Sequence, residues 1–247
     1  PEAELQLAES YERGLGVGAD LGAAIPWYKR AAEHGQVLAA FKLGVFAEAG
    51  QGVPQSYAEA HAWYCQAGEQ GHAGAQARLG EFYDRGLHGE QDHVQAARWF
   101  RLAAEQGVLP AQARLAELYE QGLGVGQDHA AAATWFRCAA EQGLAGAQAK
   151  LALCHHHGRG VAQDFIQALE WFQWAAAQAH VESLFYLGDY LEHGRSGTVD
   201  VAAAYKWYNV AAAFGHAEAR QARGKLLGKL DLQQQAESQK LSTELHR

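Results

Sequence analysis

The chain has 247 residues, 49% of them hydrophobic, and a formal net charge of −8 at pH 7. The absence of a basic patch or Lys/Arg run argues against nucleic acid as a partner, and no apolar run reaches the roughly 18 residues that a membrane-spanning helix needs. Three scattered cysteines, Cys65, Cys138 and Cys154, are too few and too irregular for a disulfide framework.

From the first residues onward the chain repeats itself. Trp27, Trp63, Trp99, Trp135, Trp171 and Trp207 stand 36 residues apart. The spacing predicts six repeats, 1–35, 36–71, 72–107, 108–143, 144–179 and 180–215, each a pair of helices. In the third, the first helix runs from about Ala73 to Arg85, with Ala75, Leu79, Phe82 and Tyr83 on one face. The second helix follows Asp92. There Ala96, Trp99, Phe100 and Ala103 recur at the i, i+3, i+4, i+7 spacing of a buried stripe. At ~1.5 Å per residue, each helix is about 20 Å long, too short to be stable alone in water. Stacking of neighbours must supply the stability.

Punctuation repeats with the same period. Asp20, Ser56, Asp92, Asp128, Asp164 and Asp200 precede the second helices and are good N-cap residues. Gly14, Gly50, Gly86, Gly122, Gly158 and Gly194 open the turns, where a positive φ is expected. Ala24 and Ala31, with their equivalents, never vary among the six repeats and would let helix backbones approach closely. Past Gly215 the pattern fades. His216–Leu227 reads as one more first helix, and Leu230–Leu245 as a polar-faced helix that closes the array, so 216–247 is expected to be a C-terminal cap. A chain that starts at Pro1 and holds no Met reads as processed or trimmed.

The loops Gly14-x-Gly16-Val17, Gly122-x-Gly124-Val125 and Gly158-x-Gly160-Val161, with the helix ending Ala139-Ala140-Glu141-Gln142-Gly143, resemble the Sel-one-like repeat family, a relative of the tetratricopeptide solenoids. The resemblance covers residues 1 to about 227. Local departures are Gly89 for the loop valine of repeat three, Ser196-Gly197 in repeat six, Ala179 for a closing glycine, and His155 and Leu191 for the first-helix tyrosine. The resemblance implies an all-α, right-handed superhelical solenoid whose concave face is lined by the first helix of each pair. It also implies a bacterial adaptor that assembles protein complexes, in the cytoplasm or periplasm, with no catalytic residues to carry over.

By tetratricopeptide analogy, positions 77, 81, 84 and 85 would face the groove. Two ladders follow at the period: Glu9, Val45, Glu81, Glu117, Leu153 and Asp189, then Glu12, Glu48, Asp84, Glu120, His156 and Glu192. Arg13 and Arg85 partly offset them, and Phe41, Val45 and Phe185 form apolar islands. The expected groove is acidic and takes a basic or mixed basic–apolar protein segment. The other reading of the same columns is a solvated acidic face. The second ladder is expected to be dispensable for packing, Cys65 to be exposed, Cys154 to be core, and the chain to be a monomer.

Chemistry beyond binding has little support. Cys154-His155-His156-His157 point in four directions along a helix, so they do not converge on one metal. His155 is expected to replace a core tyrosine. No P-loop, G-x-S-x-G or S-x-x-K motif is present. The leading expectation is therefore a scaffold with no cofactor. A cell-envelope hydrolase or β-lactam-binding protein would need a Ser or Cys beside a base. A scaffold for polysaccharide assembly would need exposed aromatics, and most aromatics here fall at packing positions.

Overall fold

The computed structural model describes residues 2–195 and 197–230. Among these the chain is all-helical. The first helices of the pairs are α1 (Glu2–Arg13), α3 (Val37–Ala49), α5 (Ala73–Arg85), α7 (Leu109–Gln121), α9 (Ala145–His157) and α11 (Val181–His193). The second helices are α2 (Leu21–Glu33), α4 (Tyr57–Glu69), α6 (His93–Glu105), α8 (His129–Glu141), α10 (Phe165–Ala177) and α12 (Val201–Ala213). A further helix, α13 (Ala217–Leu226), and one 3-10 turn follow. The polar helix expected over Leu230–Leu245 lies outside the described residues.

The caps form as the residue types demand. The side chains of Asp20, Ser56, Asp92, Asp128, Asp164 and Asp200 each accept a backbone N–H from the first turn of the following helix. Gly50, Gly86, Gly122, Gly158 and Gly194 end the first helices in the left-handed conformation. Two first helices, α5 and α11, and the further helix α13 are capped by histidine: Nδ1 of His72, His180 and His216 accepts the N–H of the residue three places on.

The chain divides into two compact units, residues 1–127 and 128–247. Within the first, α1 to α7 pack on their neighbours in sequence around Tyr28, Leu43, Phe46, Tyr64, Leu79 and Phe82. Within the second, α8 to α13 do the same around Phe172, Leu184, Leu187, Tyr190 and Tyr208. In both, the aromatic after the repeated tryptophan is core: Tyr28, Tyr64, Phe100, Phe136, Phe172 and Tyr208 are buried. Trp99 is buried as expected, but the other five tryptophans of the column are half-buried.

Two glycines show how tight the packing is. A Cβ on Gly80 would lie 2.5 Å from the Phe100 ring, so α5 and α6 can meet only without a side chain there. Gly124 has φ +67, and a Cβ on it would lie 2.0 Å from the His93 carbonyl oxygen. The turn after α7 therefore rests directly on the first turn of α6.

Candidate functional site

The polar residues of the first helices were expected to face a partner. Those of the second ladder instead bind their own neighbours. Glu12 accepts from the Tyr28 hydroxyl and from Lys42 Nζ at 2.7 Å. Glu48 accepts from the Tyr64 hydroxyl at 2.7 Å and from Nε and Nη2 of Arg78. Asp84 is buried and takes a two-pronged bond from Arg114, Nε to Oδ2 at 2.8 Å and Nη2 to Oδ1 at 2.9 Å. His93 Nδ1 lies 3.1 Å from the same carboxylate. In the second unit, Tyr208 donates to Glu192 at 2.8 Å, and His156 Nδ1 meets the Tyr190 hydroxyl at 2.7 Å. Glu120 is half-buried, and its backbone carbonyl accepts from Gln127 at 2.9 Å.

This corrects the expectation that the second ladder is spare surface. The carboxylates of Glu12, Glu48, Asp84 and Glu192 each accept from a hydroxyl, ammonium or guanidinium that the adjoining core would otherwise leave unpaired. The electrostatics agree. Burial and the bond to Glu12 push the Tyr28 phenol far above its ordinary value. Burial, then Glu192, do the same for Tyr208. Burial tends to raise the Glu12 carboxyl, but the bonds from Lys42 and Tyr28 prevail and hold it below its ordinary value. The Asp84 bond raises the Arg114 guanidinium further still.

The first ladder is half-buried throughout. Val45 and Leu153 pack on the cores of their units. Glu81 pairs with Arg78 and lies 3.9 Å from Arg85. Glu117 pairs with Arg114 at 2.6 Å. Asp189 pairs with Arg195 at 2.7 Å. Phe41 and Phe185 are not open islands: each stacks on the histidine cap of the next repeat, His72 at 4.3 Å and His216 at 4.7 Å between ring centroids.

A groove of about 850 Å³ lies open between α5 and α7. It brings together Glu81, Asp84, Arg85 and Glu117, four of the residues singled out from the sequence. Ala77, Ala113, Pro110 and the edge of Phe100 complete its wall. Three carboxylates there face three guanidiniums, since Arg78 and Arg114 line it too. An acidic groove was expected; at this place it is charge-balanced. Glu9, Glu12, Phe41, Val45 and Glu48 lie elsewhere in the first unit, and His156, Phe185, Asp189 and Glu192 belong to the second.

One cluster was missed from the sequence. The rings of His61 and His88 stack at 3.7 Å and 9°, with the Tyr83 hydroxyl 3.1 Å from His61 Nε2. His88 occupies the place of the second loop glycine of other repeats, such as Gly124, and that substitution was its only sequence signal. Cys65, expected to be exposed, is half-buried with Sγ 3.6 Å from His61, and burial raises its thiol. Cys154 is buried, as expected. His155 is buried in the tyrosine position. Among the described residues no group of three or more His, Cys, Asp or Glu is arranged to hold a metal ion, and no helix is long and apolar enough to cross a membrane.

The Sel1 repeat model matches residues 1–36, 37–72, 73–108, 109–144, 145–180 and 181–216. The chain belongs to the Sel1 repeat family. Sel1 repeat proteins are in general non-enzymatic helical scaffolds that mediate protein–protein interactions. A Sel1 repeat protein from Oxalobacter formigenes is 33% identical, with a TM-score of 0.70, over 78% of this chain and 79% of that one. A protective antigen present in uropathogenic Escherichia coli strains, displaying an SLR fold, is 28% identical with a TM-score of 0.65. That match takes in 98% of this Sel1 repeat chain, which spans only 60% of the antigen's own chain. No curated protein sequence matches it.

Proposed function

We propose that this Sel1 repeat protein is a non-enzymatic adaptor that holds a segment of a partner protein in the groove between α5 and α7. The observation that carries the reading is the alternation of charge along that groove. Arg85 is the loosest member, with its side chain 65% exposed and its nearest carboxylate 3.9 Å away. A segment bearing both charge signs, with an apolar residue against Phe100 and Pro110, satisfies such a wall better than a purely basic one.

Hydrolysis has no comparable support. Ser183 meets His180 at 3.1 Å, but the serine is fully buried within a helix cap, so no substrate can reach its hydroxyl. Cys65 lies beside His61, yet burial raises its thiol, the reverse of nucleophile activation.

The test is the paired charge reversal Glu81→Lys with Arg85→Glu. Both side chains reach solvent, so melting should stay as in the wild type. Partners captured from a lysate of the source by the wild-type chain should bind the variant at least about tenfold more weakly, and cross-links from the partner should fall on α5 and α7. Unchanged affinity, or cross-links confined to the second helices, would sink the reading.

A further inference from the structure

The second unit carries a different kind of surface. Helix α10 places Trp171 and Trp174 one turn apart. Trp171 is half-buried and leans on the core of its unit. Trp174 is 65% exposed. At its place the other repeats have Arg30, Gln66, Leu102, Cys138 and Val210, none of them aromatic. In repeat one, Arg30 covers Trp27, with its guanidinium carbon 5.0 Å from the ring centroid. Repeat five replaces that cover with a second indole and leaves it in water. Among the described residues none accepts a hydrogen bond from the Trp174 N–H. An indole buries a large apolar area when it has somewhere to go, and most of this one is buried against nothing in its own chain.

The two indoles form the floor of a groove of about 530 Å³ between the end of α8, the start of α9 and α10. That size falls in the range of small-ligand sites, about 300–1,000 Å³. Its rim is polar. Gln148 donates to the Ala140 carbonyl at 3.1 Å, and Gln178 donates to Gln148 Oε1 at 2.9 Å. This chain of bonds fixes the Gln178 amide while leaving its carbonyl oxygen and second amide hydrogen for a ligand. Glu141 supplies a carboxylate, and Gly143 adds no side chain to block entry.

The lining decides the ligand class. No aliphatic side chain larger than alanine contributes, so a Leu- or Phe-bearing peptide finds no well to fill. A pyranose ring is matched on both counts. One of its faces is a sheet of C–H groups that lies flat on an indole, and its edge carries hydroxyls that pair with amides and carboxylates. The only charge at the rim is negative, which disfavours acidic sugars. We propose that Trp171, Trp174, Glu141 and Gln178 form a site for a neutral oligosaccharide of β-linked hexose or N-acetylhexosamine units. The site is independent of the groove between α5 and α7 and of the partner read into it.

The experiment titrates the full chain with cellotriose, chitotriose and maltotriose, followed by calorimetry and tryptophan fluorescence. At least one β-linked trisaccharide should bind saturably and change the emission, and maltotriose should bind more weakly. Trp174→Ala should weaken binding at least about tenfold, with melting unchanged because the side chain lies mostly in water, and Trp174→Phe should keep part of the affinity. The proposal is overturned if no β-linked trisaccharide binds, if Trp174→Ala binds as the wild type does, or if a Leu/Phe-rich peptide binds through Trp174 while the saccharides do not.

Discussion

One sequence column is built in two ways in the two units. In the first unit positions 12, 48 and 84 are carboxylates, each bonded to the cation 30 residues on: Lys42, Arg78 and Arg114. In the second unit position 156 is a histidine. Its ring sits 5.6 Å from Phe165, Tyr186 and Tyr190, and Tyr186 stands where the cation would be. Position 192 is a carboxylate again, but Ala222 takes the cation's place, and among the described residues no cation pairs with Glu192. A stacking seam can thus be sealed by an ion pair, by an aromatic–imidazole cluster or by a single tyrosine hydroxyl. What the fold requires is that the polar atoms at the seam be satisfied, not that they be charged.

The comparison is broken most strongly at Arg114. Arg114→Ala leaves Asp84 buried beside Phe100, which has no hydroxyl to offer. We expect a loss of about 2–3 kcal/mol, below the full figure for a buried pair because Arg114 is partly exposed. The double change Arg114→Met with Asp84→Leu should recover most of it. Urea unfolding measures both, and a single mutant within 0.5 kcal/mol (roughly the scatter of a neutral surface change) would show that the seam does not depend on the pair.

The next effect is smaller. Tyr208→Phe should cost about 1.5 kcal/mol, since Glu192 then loses its only protein donor among the described residues, whereas Tyr64→Phe should cost about half as much because Arg78 still holds Glu48. Equal losses in the two variants would mean that the cation contributes nothing to the carboxylate.

Acid should separate the two designs more gently. Burial lowers the His156 ring below its ordinary 6.5, with His157 and Arg195 acting in the same direction and Asp189 opposing. The folded state thus favours the neutral ring, and this contribution is intact above about pH 6.5 and lost as pH falls through the lowered value. The Glu12 carboxyl is held below its ordinary 4.5, so its contribution survives to lower pH and fades only as pH falls through that depressed value. His61, His72 and His88 of the first unit are also lowered by burial, so the seam must be isolated by substitution. His156→Gln should flatten the stability loss between pH 6.5 and 5 (a window set by the ordinary histidine value). An unchanged pH slope would remove His156 from the account.

Much of this architecture is legible in the sequence because it is local. The Asp and Ser caps, the turn glycines and the buried stripe depend on residues within one turn or one hairpin, and each recurs six times. The seam is not local. The acids at 12, 48 and 84 form one visible column, but their meaning lies in a second column, Lys42, Arg78 and Arg114, that is displaced by 30 residues and faces it only after stacking. Read alone, the acids look like free surface. Phe41 and Phe185 mislead in the same way. Each is an apolar residue on a polar face until the histidine 31 residues on, His72 or His216, is laid over it. Trp174 is a different case: it stands in a column with no fixed residue type, Arg30, Gln66, Leu102, Cys138 and Val210 in the other repeats, and only the structure shows it exposed.

The fixed reach of the seam bonds bears on how such a chain can change length. In the first unit, a cassette cut at matching positions carries an acid for the cassette after it and a cation for the one before. Duplicating residues 73–108 would set a second copy of Arg78 against Asp84, with the geometry already used between Asp84 and Arg114. Inserting or removing 36 residues there preserves the seam's donors and acceptors. One residue more or fewer inside a helix would turn the rest of that helix by about 100°, one residue's share of a helical turn, and face its charges toward the core. Gain and loss of whole repeats is the inexpensive route open to this chain, and single-residue insertions within a helix are closed to it.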